Sequence, residues 1–153
     1  MAMSPTVHTC LQDAGVEYET VRHPHSHSSP ETARTAAIPG DRLAKTVLLE
    51  DDQGYVGAVL PSTHHLRMPK LWDHTGRRLS FAQESEIREV FKDCEVGAIP
   101  AVCTAYGMTT LLDESLSAQP DIYFEAGDHE TLIHMRTEQF LRLMEHAQRG
   151  RFS

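Results

Sequence analysis

Leu43-Ala44-Lys45-Thr46-Val47-Leu48-Leu49 and Tyr55-Val56-Gly57-Ala58-Val59-Leu60, joined through Asp51-Asp52-Gln53-Gly54, form the stretch around which the rest of the chain organises. Two apolar runs of strand length flank a polar, glycine-ended connector, which predicts a β-hairpin at the heart of a sheet. Pro61 ends the second strand because it has no N–H to donate. Lys45 breaks the pattern. If Leu43, Val47 and Leu49 face inward, the period of two puts Lys45 on that same face. Its stem can lie along the core with the ammonium in water. Alternatively it sits at the mouth of the strand, where the ammonium meets a phosphate or a developing oxyanion.

Upstream of the hairpin, Ser4-Pro5 reads as N-cap and first helical residue. Val7, Cys10, Leu11 and Ala14 then fall at helical spacing, and Gly15 stops the helix. Val16, Tyr18 and Thr20 alternate with Glu17 and Glu19 as a half-buried strand ending near Val21. Ser28-Ser29-Pro30-Glu31 has capping-box spacing and opens a short helix over residues 32–37, broken by Pro39-Gly40.

Downstream, a short helical turn is expected at residues 69–72 and a strand at 78–81. A helix follows on Ile87, Val90 and Phe91, with Glu84 and Glu86 near its positive end and Lys92 near its negative one. Strands are expected at 109–112, 122–126 and 131–135, with Gly127-Asp128-His129-Glu130 as the loop between the last two. Thr137 reads as the cap of a final helix with Phe140, Leu141, Met144 and Ala147 on one stripe, and Gln148 onward as frayed. The order predicts one α+β domain over residues 1–153, with its core at about 16–147.

Composition narrows the function classes. The chain has 153 residues, 40% hydrophobic and 24% charged, enough for a single core. No run reaches the length of a membrane span, and residues 1–15 lack a basic start followed by an apolar run. Three cysteines, Cys10, Cys94 and Cys103, suggest neither a disulfide framework nor a cysteine zinc site, so a reducing cytoplasm is the expected home. A net charge of −8 is the wrong sign for clamping long nucleic acid. DNA and membranes are therefore not expected partners, and any RNA contact should be small and local.

The ten histidines raise a metal question, centred on His23-Pro24-His25-Ser26-His27. In an extended segment residues 23, 25 and 27 would share a face. Pro24 interrupts a strand, however, and no cysteine or carboxylate partner stands at ligand spacing, so a solvated loop is the better reading and no metal or cofactor is expected. Near His64-His65, Ser62 and Thr63 could reach a ligand from a strand end. No Gly-x-Ser-x-Gly elbow is present, and no cysteine stands beside a histidine in sequence.

The remaining motif is Gly97-Ala98-Ile99-Pro100. Gly97 permits a backbone conformation closed to other residues and Pro100 stiffens the exit, so the turn either presents N–H groups to a ligand or is an ordinary surface turn. Four blocks taken in order are Lys45-Thr46-Val47-Leu48-Leu49, Val59-Leu60-Pro61, Gly97-Ala98-Ile99-Pro100 and Ile122-Tyr123-Phe124-Glu125-Ala126-Gly127-Asp128-His129. Together they resemble the YbaK/prolyl-tRNA-editing family of free-standing aminoacyl-tRNA deacylases, over roughly residues 16–144.

That resemblance implies a mixed, partly barrel-like sheet flanked by helices, with a pocket open to the CCA end of a charged tRNA. It further implies hydrolysis of the ester of a mischarged tRNA carrying a small amino acid, assisted by the substrate's own groups, with an aminoacyl-tRNA synthetase as a possible associate. Lys45 stands where the family has its signature lysine and His129 where a Gly-Ser-His triplet ends, the pair expected in catalysis. His23, Thr46, Ser62, Gly97, Ala98, Ile99, Pro100 and Gly127 are the expected substrate-binding residues. The chain departs from the family's Gly-x-x-Pro-Pro-Phe-Gly loop, with Ala101-Val102-Cys103 after Pro100, and carries Asp128 where a small residue is usual. Two other readings stay open: a non-catalytic tRNA-end or nucleotide-binding module of this fold, and a histidine-based metal-binding protein.

Overall fold

A computed structural model describes residues 3–26, 28–95 and 97–153; His27, which falls in the histidine-rich stretch read above, and Val96, which precedes the Gly-x-x-Pro turn, lie outside the described residues. At its centre is the expected hairpin. β2 (Leu43–Asp51) and β3 (Gly54–Pro61) pair antiparallel from Ala44 opposite Pro61 to Asp51 opposite Gly54. Within the turn the Gln53 N–H donates to Asp51 Oδ1 at 2.9 Å. Arg77 grips the same carboxylate through Nε at 2.7 Å and Nη2 at 2.6 Å, and this fork holds the Asp51 carboxyl down at about 2.

The other strands extend this hairpin into one mixed sheet. The order is β1 (Glu19–Arg22), β7 (Thr131–Arg136), β6 (Asp121–Glu125), β2, β3, β5 (Thr109–Asp113) and β8 (Gln148–Gly150), with β4 (Ser80–Phe81) also pairing with β2. Pairs β2–β6, β3–β5 and β5–β8 are parallel and the rest antiparallel. Among the described residues five α-helices accompany it: α1 (Pro5–Ala14), α2 (Ser29–Thr35), α3 (Met68–Thr75), α4 (Glu84–Val90) and α5 (Thr137–Leu143). The α+β architecture expected from the sequence is present.

Both faces of the sheet are covered. Ala44, Leu48 and Phe124 pack on one side with Leu11 of α1 and Phe140 of α5. On the other side the core splits, with Leu49, Leu71 and Phe152 in one cluster and Leu43, Leu132 and Ala33 of α2 in another. Lys45 belongs to the face of Leu43 and Leu49, between these two clusters. The caps read from the sequence hold: Ser4 Oγ accepts from the Val7 N–H and Ser28 Oγ from the Glu31 N–H, each at 3.3 Å, and Gly15 ends α1 at φ +63°.

Several boundaries differ. β1 begins at Glu19 rather than Val16, because β7 offers partners only to residues 19–22. Val16 is instead buried in the core beside α1, and Val21 rather than Thr20 turns inward. α3 runs for eight residues rather than one turn, ended by Gly76 at φ +68°, and β4 keeps only two residues. Thr137 is not the cap of α5 but its first residue; its hydroxyl donates to the Gln119 carbonyl, tying the helix to the segment before β6.

The C-terminal segment is not frayed. β5 needs a partner on its outer edge, and β8 supplies it. Beyond β8, the Phe152 N–H donates to Asp113 Oδ2 at 3.2 Å and its carbonyl accepts from the Arg67 N–H at 2.7 Å, while the ring is fully buried. Phe152→Ala should therefore cost about 3–5 kcal/mol of stability, read from the urea midpoint. A loss under about 1 kcal/mol would mean that the segment is a passive tail.

Candidate functional site

The site originates in a break in the sheet. β6 accompanies β2 for only two pairs, Leu43 with Tyr123 and Ala44 with Phe124, and then the two strands part. β2 continues to β3 on one side, and β6 turns back into β7 on the other. The Ser62 N–H donates to the Leu43 carbonyl, so odd-numbered residues of β2 direct their backbone groups at β3. Even-numbered ones point to the opposite edge, where Ala44 meets β6 and the Leu48 carbonyl accepts from the Ala82 N–H at 3.0 Å. Thr46 falls between them, without a strand partner on that edge among the described residues. Its hydroxyl donates instead to the Pro100 carbonyl at 3.1 Å, so the Gly-x-x-Pro loop lies over the gap.

Lys45 stands at this gap. Its side chain is half-buried, Nζ donates to the Ser62 carbonyl at 3.4 Å, and no carboxylate pairs with it among the described residues. Burial pulls its pKa below the ordinary lysine value. The Ser62 hydroxyl donates to the Gly40 carbonyl at 2.7 Å and is thus committed to the turn before β2; only its carbonyl faces the lysine. Gly97 takes φ +85°, Ala98 is fully buried, Ile99 packs at the edge of the core and Pro100 is buried.

The opposite wall is the turn between β6 and β7. Asp128 is buried and acts as its staple: Oδ1 accepts from the N–H groups of Glu130 at 2.9 Å and Thr131 at 2.7 Å, and Oδ2 from the Thr131 hydroxyl at 2.9 Å. The acidic residue that departs from the family triplet is thus part of the turn's own architecture. Gly127 sits at φ +111°, where a Cβ would come within 3.1 Å of Ser4 Cβ and 3.2 Å of Cys94 Sγ, and its carbonyl accepts from the Glu95 N–H at 2.7 Å.

His129 is 2% exposed, not a surface loop residue, and takes φ +60°. Nδ1 lies 3.8 Å from Glu125 Oε2, and its ring meets that of His25 edge-on at 5.4 Å between centroids. His25 Nε2 stands 3.4 Å from both oxygens of Glu95. His23 is held by its N–H to the Glu130 carbonyl at 2.9 Å. Its Nδ1 donates to the Pro24 carbonyl at 2.8 Å, which leaves Nε2 as an acceptor, buried and without a donor among the described residues. No group of three or more His, Cys, Asp or Glu side chains is arranged to hold a metal among the described residues.

Glu125 is the residue that reading the sequence missed. It is 3% exposed, and burial first, with the charges of Asp128 and Glu95 adding to it, pushes its carboxyl up to about 8. The available signal was a carboxylate within the otherwise apolar run Ile122-Tyr123-Phe124-Glu125-Ala126. Also missed was a polar knot behind the loop. Asp93 accepts from the Ser4 hydroxyl at 2.5 Å, the Tyr106 hydroxyl at 2.8 Å and the Thr6 N–H at 3.1 Å. Burial works against its ionisation, but these donors outweigh it and hold the carboxyl well below the usual range. The Ser4 N–H also donates to the Ala126 carbonyl at 2.8 Å, so the start of α1 joins both walls of the gap.

Burial pushes the thiols of Cys94 and Cys103 up to about 11 and about 12, which makes both poor nucleophiles. A broad groove of about 910 Å³ between α1 and α5 contains none of the residues of the gap.

The sequence model of the family described as "Aminoacyl-tRNA editing domain" matches residues 23–143. Comparison with curated protein sequences finds no match. Among solved structures, a candidate trans-editing enzyme for prolyl-tRNA synthetase is similar with a TM-score of 0.85 at 21% identity, covering 99% of each chain. A scaffold from a study of epitope backbone grafting has a TM-score of 0.84 at 18% identity, covering 98% of this chain and 96% of that one. A candidate signal transduction protein from Marinobacter aquaeolei VT8 has a TM-score of 0.78 at 25% identity; it covers 96% of this chain, which matches 30% of it.

Glu125 carries a testable consequence for stability. Its folded pKa, about 8, lies above the ordinary carboxyl value, so between the two the folded protein binds a proton that the unfolded chain does not. Its contribution is therefore complete below about pH 4 and lost as pH rises towards 8, at up to roughly 1.4 kcal/mol per pH unit, with no further loss above. Glu125→Gln should flatten denaturant midpoints between pH 5 and 8 relative to wild type. Parallel curves for the two proteins would show that Glu125 does not titrate in that window.

Proposed function

The chain belongs to the aminoacyl-tRNA editing domain family, and from that premise we propose that it is a free-standing deacylase, hydrolysing the ester between a small amino acid and the terminal ribose of a mischarged tRNA. The observation that carries this reading is the half-buried Lys45 ammonium, unpaired with any carboxylate among the described residues, at the gap covered by the Gly-x-x-Pro loop. An uncompensated cation in a partly desolvated crevice is suited to a charge that arrives with the substrate or develops during reaction.

An aminoacyl ester is already activated, so hydrolysis needs positioning and electrostatic stabilisation more than a protein nucleophile. The raised thiol pKa values of Cys94 and Cys103 agree with that. In the mechanism we favour, water attacks the ester carbonyl with the neighbouring ribose hydroxyl assisting; Lys45 stabilises the oxyanion, which collapses to the free amino acid and the ribose hydroxyl, the latter taking the proton given up by the water. The backbone groups of Thr46 and the Gly-x-x-Pro loop hold the aminoacyl moiety against the gap, while His129 orients the attacking water. The amino acid we assign is a small one, as the resemblance to the editing family implies.

With a net charge of −8, contact with RNA is confined to the acceptor end. The supplier of substrate is the class of synthetase that attaches the wrong amino acid, and the setting is the cytoplasm.

The deciding experiment incubates purified protein with a panel of mischarged tRNAs and follows loss of the ester. Cleavage of at least one small-amino-acid ester is expected, and none across the panel would refute the reading. On the best substrate, Lys45→Ala should lower turnover at least about tenfold, the effect of one charged contact of about 1.5–3 kcal/mol, with the fold retained. Lys45→Arg should also be impaired, because a planar fork does not replace a compact ammonium. Near-wild-type turnover in the folded Ala variant would remove Lys45 from the mechanism. Activity should survive exhaustive dialysis against a chelator; loss restored by zinc would return the histidines to the centre.

A further inference from the structure

The gap is electrically polarised, and its negative side has no role in the mechanism above. Leu43 and Tyr123 pair on one face of the sheet, so by alternation Lys45 and Glu125, one step beyond the last pair at Ala44 and Phe124, project from that same face. Leu132 pairs with both Glu125 and Val21, and His23 follows Val21 by two residues, which brings its strand position to that face as well. The Lys45 ammonium is directed to the Ser62 carbonyl, on the β3 side. The β6–β1 side therefore carries buried acceptors, and among the described residues no lysine or arginine pairs with them.

Those acceptors lack donors. Neither oxygen of Glu125 has a hydrogen-bond partner among the described residues, and the same holds for Nε2 of His23. Glu125 is 3% exposed and His23 7%. The nearby Thr32 hydroxyl, which partly offsets the effect of burial on Glu125, is already engaged with the Ser26 hydroxyl at 2.5 Å. The other titratable groups around the carboxylate are Asp128 and His129 on the turn, Glu95 beyond α4 and His25 beside His129. Burying acceptors without donors is costly, and a carboxylate in such a place is best matched by a cation with several N–H groups.

An aminoacyl ester has such a group two bonds from its reacting carbonyl. We propose that Glu125, assisted by His23, receives the α-ammonium group of the aminoacyl ester, and that this contact selects esters bearing a free, charged amine. The inference rests on the deacylase reading. It gives the two sides of the gap complementary tasks: Lys45 meets the negative charge of the reacting centre, and Glu125 meets the positive charge beside it. Binding an ammonium there also favours the ionised carboxylate, so the proton that burial holds on Glu125 near neutrality leaves as substrate enters.

The test compares an aminoacyl ester with its α-hydroxyacyl counterpart on the same tRNA, which keeps the shape and drops the charge. The pair is alanyl and lactyl, or the seryl or cysteinyl pair if that ester is cleaved faster. Wild type should prefer the amine by at least about tenfold in kcat/KM, mostly through KM, as expected for a charge-assisted hydrogen bond. Glu125→Gln should bring the ratio to within about threefold of one, whereas Glu125→Asp, which keeps the charge, should retain part of the preference. If Gln at this position prevents folding, the wild-type ratio and the Asp variant still decide. Equal cleavage of both esters by active wild type, or an undiminished preference in folded Glu125→Gln, would overturn the assignment while leaving the deacylase reading intact. Failure to cleave any aminoacyl ester would remove both.

Discussion

Two rungs of parallel ladder, Leu43 with Tyr123 and Ala44 with Phe124, join the half of the sheet built on β2 and β3 to the half built on β6 and β7. Everything at the site follows from how early that ladder stops. Each of the two strands continues into an antiparallel hairpin with a different neighbour, so their paths are drawn apart and a crevice opens beyond the last shared rung. Crevices of this kind, past the carboxyl ends of parallel strands whose connections diverge, are where α/β sheets bind ligands. Here the edge left bare at Thr46 is covered by a loop through a single side-chain bond to the Pro100 carbonyl. The halves are also fastened from behind by the core around Phe124 and Phe140, and by the Asp93 knot at the start of α1.

Desolvation acts on both sides of the crevice, with opposite consequences. It lowers the pKa of Lys45 and raises that of Glu125, in each case pushing the group towards its neutral form. The two do not neutralise each other, since the ammonium turns to Ser62 while the carboxylate lies beside His129. A protein selected for stability alone would gain by pairing them or replacing them with apolar side chains. Keeping both charges apart in a crevice is understandable if a ligand carries the complementary charges at a matching separation. Such a ligand restores to each group the electrostatic partner that folding removed.

What was legible in the sequence is what local chemistry dictates. The hairpin, the serine caps, the glycine stop after α1 and the face of Lys45 each follow from periodicity or from groups three or four residues apart. Long-range matching decides the rest. The Thr46–Pro100 bond spans 54 positions and the Ser4–Asp93 bond 89, and neither residue type announces its partner. β8 looked frayed because its strand character depends on β5 needing an edge partner, which no local pattern encodes. Ser62 was expected to face a ligand because hydroxyls at strand ends often do, but its hydroxyl is spent on Gly40. Glu125 was hidden in plain view: a charge in a strand reads as solvent-facing until α2 is known to cover that face.

His129 brings these threads together. A non-glycine residue at φ +60° costs of order 1 kcal/mol and persists only where its surroundings over-determine the backbone. Those surroundings are visible: three bonds to the Asp128 carboxylate fix the turn on one side, and the Ser26 N–H donates to the His129 carbonyl on the other at 3.3 Å. Glycine at this position would satisfy the same backbone bonds without strain. The turn instead carries an imidazole, buries it and sets it 3.8 Å from a buried carboxylate. The ring also meets that of His25 edge-on, so its neighbours fix its orientation as well as its backbone. The strain at His129 thus fixes an imidazole beside a buried carboxylate at the wall of the crevice.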